Sequence, residues 1–173
     1  FFGEQTELGR FDMIIANNVF AHMPDLHGAT RAMRKALTDD GVLVIETHHL
    51  GAMVRDLQYD WVYHEHLFYW SCLALAMHLN RHGLCIFDVQ PIALHGGSMR
   101  YFVCHQGARP ASRAVEDLMR QERKEGLDSA GTFRKFAVPR IAEIASSFSI
   151  RINSAAGRAR ASGAAWPAHR ATK

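Results

Sequence analysis

Cysteine and long apolar runs are scarce in this chain, and their scarcity excludes several classes of protein. Cysteine occurs three times in 173 residues, at Cys72, Cys85 and Cys104, each far from the next. This spacing fits neither a disulfide framework nor a zinc site, so we expect small buried side chains in a reducing compartment. No apolar run approaches the roughly 18 residues that a membrane span needs, and no basic segment followed by an apolar one opens the chain. We therefore predict a cytoplasmic protein with no membrane partner.

Acidic residues are missing from the end of the chain. Five of the 20 basic residues follow residue 150, but none of the 17 acidic residues does. The formal charge of +3 therefore comes from this tail, and residues 1–150 hold 15 basic against 17 acidic residues. This balance predicts no nucleic-acid partner. Residues 151–173 also hold eight alanines without sustained periodicity, so we predict a disordered or out-of-frame tail.

What the chain does hold is enough apolar material, 48% of its residues, for a globular core. Residues 11–18 form an apolar run that predicts a buried strand, and residues 41–46 predict the next strand. Between them, Pro24-Asp25 opens a helix that ends at residues 39–41. Its apolar positions recur every three or four residues, at Leu26, Ala29, Met33 and Leu37. Strand, helix and strand with short links predict a βαβ unit with parallel strands.

After residue 46 the sequence predicts a short helix near 50–57, an irregular loop to 66 and a helix over 72–82. Two strands follow, at 84–90 and 99–105, and then two helices, over 112–125 and 132–147. Ser71 is the expected cap of the helix over 72–82, and Gly83 its stop. The expected inward-facing residues of that helix are Leu73, Ala76, Met77 and Leu79. The link 91–98 is long enough for a hairpin, so the last two strands are expected to be antiparallel.

Three segments carry a resemblance to a known family: FDMIIANNVFAHMPDL (11–26), WVYHEHLFYWS (61–71) and HGGSMRYFV (95–103). In this order and spacing they resemble the S-adenosylmethionine-dependent sugar C-methyltransferases, which act on nucleotide-linked 4-keto sugars. The resemblance implies an α/β fold, a partial Rossmann-like class I methyltransferase sheet comprising its C-terminal half, followed by helices. It places the second half of the methyltransferase domain at 1–108 and the helical start of a C-terminal domain at 109–150.

The same resemblance implies what this chain would lack. Members of the family have a zinc-binding N-terminal module, a glycine-rich loop and an acidic residue for the cofactor ribose, and none of these is found here. The chain opens on Phe1-Phe2-Gly3 without methionine, and we expect a fragment. We expect zinc only in the absent module, and weak or no binding of S-adenosylmethionine by the isolated chain.

The segment 63–66 holds the groups that methylation of carbon requires. A carbon beside a ketone becomes nucleophilic when a base removes its proton and the enolate oxygen is stabilised. His66 is the expected base because imidazole titrates near neutral pH. Glu65 could polarise a histidine or hold a sugar hydroxyl or amine, and Tyr63 could donate to the oxyanion. The alternative is a solvated loop with incidental histidines.

The resemblance places catalytic residues on Tyr63, Glu65 and His66, and gives His22 a catalytic or enolate-stabilising role. In an extended segment, residues 63 and 65 would face away from 66, so this segment must bend if all three converge. His22 follows the end of the first predicted strand, where open α/β sheets bind ligands. A histidine that merely fills the loop is the alternative there.

Two other groups are expected to bind ligands. The resemblance places Ala16, Asn17 and Asn18 beside the cofactor, whereas a purely structural turn is the alternative. The second group comprises His95, Gly96, Gly97, Ser98 and Arg100. Because glycines let a backbone approach a ligand closely, we expect this group to face the sugar or diphosphate of the substrate, and a plain hairpin turn is the alternative. His64 is also expected to bind the substrate.

Histidine pairs also raise the question of a metal. His48-His49 and the pair His64 and His66 lie among 11 histidines, and no nearby cysteine or aspartate completes a ligand set. We therefore expect no metal in this chain.

Three functions remain open from the sequence. The first is methyl transfer to C3 of a nucleotide-diphospho-4-keto-6-deoxyhexose through an enolate. The second is an O- or N-methyltransferase on the same scaffold. The third is a non-catalytic remnant or interaction protein, with an unpaired apolar sheet edge that favours aggregation.

Overall fold

A computed structural model describes residues 9–137 of the chain. Two units divide the chain, Phe1–Phe133 and Arg134–Lys173, and the labelled elements lie in the first. They are strand β1 (Phe11–Asn17), helix α1 (Leu26–Ala36), strand β2 (Leu37–His48), helix α2 (Leu50–Arg55), a 3₁₀ turn (Tyr59–Trp61), helix α3 (Cys72–Asn80), strands β3 (Leu84–Ile92) and β4 (Ser98–His105), and helix α4 (Arg113–Lys124).

Beyond α4, residues 130–137 are helical, which agrees with the start of the helix predicted over 132–147. The remainder of that helix and the predicted tail at 151–173 lie outside the described residues.

The four strands form one mixed sheet in the order β1-β2-β4-β3. β1 and β2 run parallel, and α1 connects them, so the predicted βαβ unit is confirmed. β4 pairs antiparallel with both β2 and β3, which confirms the predicted closing hairpin. This mixed sheet with its helices confirms the predicted α/β class.

The core lies between the sheet and the helices. Leu43 and Ile45 in central strand β2, together with Tyr101 and Val103 in β4, are fully buried. Met33 of α1 and residues of α3 pack into the same cluster. The consecutive apolar residues of β2 are explained by this central position, since both faces of the strand are covered.

Helix α1 begins as predicted but ends earlier. The Asp25 side chain caps it by accepting from the Gly28 amide at 2.8 Å. The helix ends at Ala36, and residues 39–41 belong to β2, so the predicted end of the helix at 39–41 is wrong. Side chains fasten this extended stretch to β1, since Thr38 Oγ1 donates to Asp12 Oδ1 at 2.9 Å.

Helix α3 has the predicted cap, because Ser71 Oγ accepts from the Ala74 amide at 3.1 Å. It ends at Asn80, two residues before the predicted end, and Gly83 adopts φ +68 just beyond. The predicted inward face is partly wrong, since Met77 is 58% exposed. The buried residues are Cys72, Leu75, His78 and Leu79. A helix that is apolar almost all round gives little periodicity from which to choose a face.

The cysteines are free thiols. Cys72 and Cys104 are buried as expected, whereas Cys85 is half-buried beside Cys104 on the neighbouring strand, with 3.7 Å between the two sulfurs. Burial raises the pKa of Cys72 to about 12 and that of Cys104 to about 11. These side chains therefore pack as small apolar groups.

Within residues 9–137, no helix has the length and apolar character that crossing a bilayer requires.

Candidate active site

A cavity of about 120 Å³ lies where the parallel strands β1 and β2 end. The carboxyl ends of parallel strands are the usual ligand-binding edge of an α/β sheet. Three connecting segments border the cavity together with the strand ends: the loop after β1, the long segment between β2 and α3, and the β3–β4 turn. The lining residues are Asn18, Ala21, His22, Thr47, His48, Leu50, Met53, Trp61, Tyr63, His66, Phe68, Tyr69 and His95.

The segment 63–66 bends as a turn, with the His66 amide donating to the Tyr63 carbonyl at 3.1 Å. The bend brings two side chains to the same side, so that Tyr63 Oη lies 3.0 Å from His66 Nε2. The turn is anchored on the loop after β1, because the Leu67 amide donates to the Ala21 carbonyl at 2.9 Å. The structure thus brings His66 and Tyr63 together with His22.

The protonation of His66 follows from its partners. Its Nδ1 atom lies 3.0 Å from the Trp61 carbonyl oxygen, which can only accept, so Nδ1 carries the hydrogen. Nε2 then holds a lone pair in the neutral ring and accepts from the Tyr63 hydroxyl. The neutral ring of His66 therefore directs the lone pair of Nε2 to the Tyr63 hydroxyl at the cavity.

His22 is oriented in the same way. Its Nδ1 atom lies 2.8 Å from the Glu65 carbonyl oxygen, which leaves Nε2 with a lone pair in the neutral ring. The centroids of the His22 and His66 rings are 4.8 Å apart. Two imidazoles therefore meet, each with Nδ1 fixed by a backbone carbonyl.

Two predicted residues of the same segment point elsewhere. Glu65 reaches the cluster through its backbone carbonyl, while its exposed side chain is not among the cavity-lining groups. His64 is also exposed and contacts Tyr63 edge-on, with 6.3 Å between ring centroids. The assignments of the Glu65 carboxylate to catalysis and of His64 to substrate binding stay predictions.

Trp61 is a cavity residue that the sequence analysis missed. Its indole lies between two imidazoles, 4.4 Å from His48 at 24° and 5.7 Å from His66 at 4°, measured between centroids and ring planes. Such stacking favours a protonated imidazole over a neutral one. Its position just before Tyr63, in a segment rich in polar aromatic residues, was the available sequence signal.

His48 was also missed as a cavity residue. Its Nε2–H donates to Gln58 Oε1 at 2.8 Å, and Gln58 Nε2 donates to the Gly96 carbonyl at 2.7 Å. Burial lowers the pKa of His48, and His66 lowers it further, whereas the bond to Gln58 raises it. His48 is therefore neutral near pH 7, and it connects the end of β2 to the β3–β4 turn.

The β3–β4 turn contributes one ring and two glycines. His95 lines the cavity and contacts Trp61 edge-on, with centroids 5.6 Å apart. Gly96 and Gly97 have φ of +75 and +121, and the Gly97 carbonyl accepts from the His49 amide at 3.0 Å. Ser98 is 2% exposed, and its hydroxyl donates to the Leu94 carbonyl. Within this turn, His95 is the side chain that reaches the cavity.

Arg100 lies away from the cavity. Its Nε and terminal nitrogen donate to Glu46 Oε2 at 3.1 and 2.7 Å across β4 and β2. Glu46 is 4% exposed, so the guanidinium neutralises a carboxylate that is buried within the sheet. The substrate-binding role of Arg100 stays a prediction.

The predicted cofactor side lies at the end of β1. Ala16 is buried, whereas Asn17 and Asn18 are exposed. Asn18 has φ +50, lines the cavity, and donates its amide to the Glu46 carbonyl at 2.8 Å. The assignment of Ala16, Asn17 and Asn18 to the cofactor side stays a prediction.

Comparisons with known proteins agree with this architecture. A family model described as a methyltransferase domain matches residues 3–88, and one described as the C-methyltransferase C-terminal domain matches residues 93–166. C-methyltransferase NovU of Streptomyces niveus is 32% identical over 133 residues, which cover 76% of this chain and 32% of NovU. The chain thus spans about a third of the length of this curated relative.

Solved structures are more distant. The mitomycin 7-O-methyltransferase MmcR aligns with a TM-score of 0.49 and 14% identity, over 58% of this chain and 31% of MmcR. The O-methyltransferase from a trans-AT PKS multienzyme of Brevibacillus brevis aligns with a TM-score of 0.47 and 11% identity, over 79% of this chain and 59% of that one. At these TM-scores and identities, neither likeness indicates which reaction the chain takes part in.

Proposed function

The chain belongs to the S-adenosylmethionine-dependent C-methyltransferase family, and from this premise we propose that the enzyme containing it methylates C3 of a nucleotide-diphospho-4-keto-6-deoxy sugar in deoxysugar biosynthesis. His66 is the general base of this proposal. The observation that carries it is the hydrogen bonding of His66, whose Nδ1 is held by the Trp61 carbonyl while Nε2 meets the Tyr63 hydroxyl.

The proposed reaction begins with proton removal from the carbon beside the ketone. The C–H electron pair moves into an enolate, and His66 Nε2 takes the proton. The resulting imidazolium keeps its Nδ1–H bond to the Trp61 carbonyl, and the stacked indole favours its charge. When bound, S-adenosylmethionine supplies the electrophilic methyl group that the carbon attacks.

Tyr63 is proposed to stabilise the enolate oxygen. In the resting state its hydroxyl donates to His66 Nε2. Once Nε2 is protonated it no longer accepts, and the Tyr63 hydroxyl is released to donate to the new oxyanion. Proton removal and oxyanion stabilisation are therefore coupled through a single hydrogen bond.

The remaining assignments complete the proposed site. His22 is a second catalytic imidazole, since its Nε2 keeps a lone pair in the neutral ring and its ring contacts that of His66. Ala16, Asn17 and Asn18 are proposed to border the cofactor, and His95 with its two glycines to border the sugar. The Glu65 carboxylate, His64 and Arg100 keep their predicted roles only if bound substrate contacts them.

Hydrogen exchange tests this proposal without methyl transfer. The full enzyme is incubated in D₂O with a nucleotide-linked 4-keto sugar and without S-adenosylmethionine, and deuterium at C3 is followed by NMR. We expect His66→Asn to slow both exchange and methyl transfer by about 10²- to 10⁴-fold, which is the usual contribution of a general base. Cofactor affinity should be unchanged.

His105→Asn is the matched control, because His105 does not line the cavity and its Nε2 lies 3.4 Å from the Leu37 carbonyl oxygen on β2. It should leave exchange unchanged. Undiminished exchange in His66→Asn would remove the base assignment. Methylation of oxygen or nitrogen with no exchange at C3 would contradict the enolate route.

A further inference from the structure

Three histidines meet on the helices, outside the cavity that contains His66. His27 lies in the first turn of α1, His78 lies in α3, and His82 follows two residues after α3. Their ring centroids are 5.0 Å apart in all three pairs. One ring nitrogen of each lies within 4.8 Å of those of the other two.

We propose that His27, His78 and His82 bind a divalent transition-metal ion, with zinc as the expected occupant. Imidazole is a preferred ligand of zinc, and three histidines with an open fourth position form a known type of tetrahedral site. This proposal is independent of the proposed methyl transfer, because none of the three residues lines the candidate active site.

The spacing of the nitrogens is near what zinc requires. Zinc–nitrogen bonds of about 2.0–2.1 Å place tetrahedral donors about 3.4 Å apart. His27 Nδ1 and His82 Nε2 are 2.8 Å apart, so this pair needs to open by only about 0.6 Å. A donor at up to 4.8 Å needs to move inward by up to about 1.4 Å, which rotation of an imidazole provides.

The turn after α3 and a buried hydroxyl explain why the rings meet. His82 lies in that turn, four residues after His78, and its amide donates to the Leu79 carbonyl at 2.9 Å. The Thr30 hydroxyl donates to the Leu26 carbonyl at 2.7 Å, and therefore accepts from His78 Nε2–H at 2.8 Å. This leaves the lone pair of His78 on Nδ1. Such a second partner is what commonly orients a metal-binding histidine.

The charges around the cluster define the fourth ligand. The direct contact between His27 and His82 requires a lone pair on at least one of the two rings, and histidine binds a metal ion as the neutral imidazole. Neutral rings do not offset the charge of a divalent ion, and Arg81 adds positive charge nearby. A cleft lined by His27, His78 and Arg81 opens beside the cluster, so we expect hydroxide or another anion to complete the site.

A bound ion would link α1 to α3 through its bonds to His27 and His78. It would stabilise the folded chain in proportion to its affinity, since unfolding separates residues that lie 55 positions apart in sequence.

Titration of the metal-free chain with ZnCl₂ in a calorimeter tests the site. We expect one zinc ion per chain and a rise in Tm with added zinc. His27→Gln and His82→Gln should each weaken binding by at least about 10- to 100-fold and abolish the Tm rise. Co²⁺ should give the visible absorption of a tetrahedral complex in the wild type and not in these variants.

His27 is exposed and His82 half-buried, so both variants should fold, and circular dichroism verifies this. His105→Gln removes one histidine elsewhere and should leave zinc binding unchanged, as should His66→Gln. The proposal is overturned if the wild type binds zinc more weakly than about 100 µM, or if His66→Gln loses binding while His82→Gln keeps it.

Discussion

Glu122 is the most completely buried charged side chain among the described residues, at 0% exposure. Its Oε1 accepts from the Cys72 amide at 2.7 Å and meets His49 Nε2 at 2.8 Å, while Oε2 accepts from the Leu73 amide at 2.9 Å. A residue of α4 therefore satisfies the first two amides of α3, where a negative charge is also favoured by the helix dipole. The same carboxylate fixes His49 directly after the cavity residue His48.

We predict that Glu122→Ala lowers the free energy of unfolding by about 3 kcal/mol, because it leaves His49 and two helix amides without their buried partner. Urea unfolding measures the loss. Glu116→Ala removes an exposed carboxylate from the same helix and should cost less than about 1 kcal/mol. Equal losses in the two variants would contradict the structural role of Glu122.

Single residues differ in how far the sequence predicts them. The contact between Tyr63 and His66 follows from a four-residue segment, because a turn brings its first and last side chains together. His27 and His82 could not be paired from the sequence, since 55 positions separate them. Trp61 and His48 were missed because they meet only through the folded loop. The pairing of Arg100 with Glu46 could not be predicted either, since it depends on strand register.

At the scale of elements, the β3–β4 turn places His95 at the cavity and packs against α2. Gly97 has φ +121, a conformation that side chains rarely adopt, and a Cβ atom there would lie 2.8 Å from that of Ala52 in α2. Gly97 thus allows the turn to approach α2 closely, whereas a Cβ atom on Gly96 would lie 2.9 Å from the side chain of Gln58. The glycines predicted for close approach to a ligand are also required by packing within the protein.

We predict that Gly97→Ala lowers the free energy of unfolding by about 2–3 kcal/mol, because it adds a steric clash to backbone strain. Gly107→Ala is the matched control, since Gly107 has φ +86 but nothing within 4 Å of an added Cβ. It should cost only the strain of about 1 kcal/mol. Thermal or urea unfolding compares the stability of the two variants. If Gly97→Ala loses no more free energy of unfolding than Gly107→Ala, the added methyl group is accommodated beside Ala52 without a clash.

Elements with strong periodicity were predicted well, and their boundaries less well. The βαβ unit and the closing hairpin follow from apolar runs and turn residues. The start of β2 was placed at residue 41 instead of Leu37, because the bonds that extend it, such as Thr38 to Asp12, join different strands. The buried face of α3 was misjudged because tertiary contacts with β3 and α4, and not periodicity, select it.

At the scale of the whole described sheet, β3 and β1 are the two edges, and β1 is apolar. Phe11, Met13 and Ile15 alternate along β1 and are 44%, 58% and 60% exposed. They therefore share one face of a strand whose outer edge is unpaired within residues 9–137. An edge strand with exposed apolar side chains readily pairs with another chain. The α/β class was predicted from the sequence, but the prediction of a buried strand over residues 11–18 is wrong for this face, because its burial depends on which elements cover the sheet.

We predict that the isolated chain self-associates through β1 and that Ile15→Lys suppresses this association, because a charge on the edge strand disfavours pairing with a second copy. Light scattering coupled to gel filtration, at concentrations from about 5 to 100 µM, should show the wild type growing in mass while the variant stays monomeric. Leu94→Lys is the matched control, since Leu94 is 56% exposed but lies in the β3–β4 turn, and it should associate like the wild type. A monomeric wild type over this range, or equal effects of the two lysines, would show that β1 does not drive association.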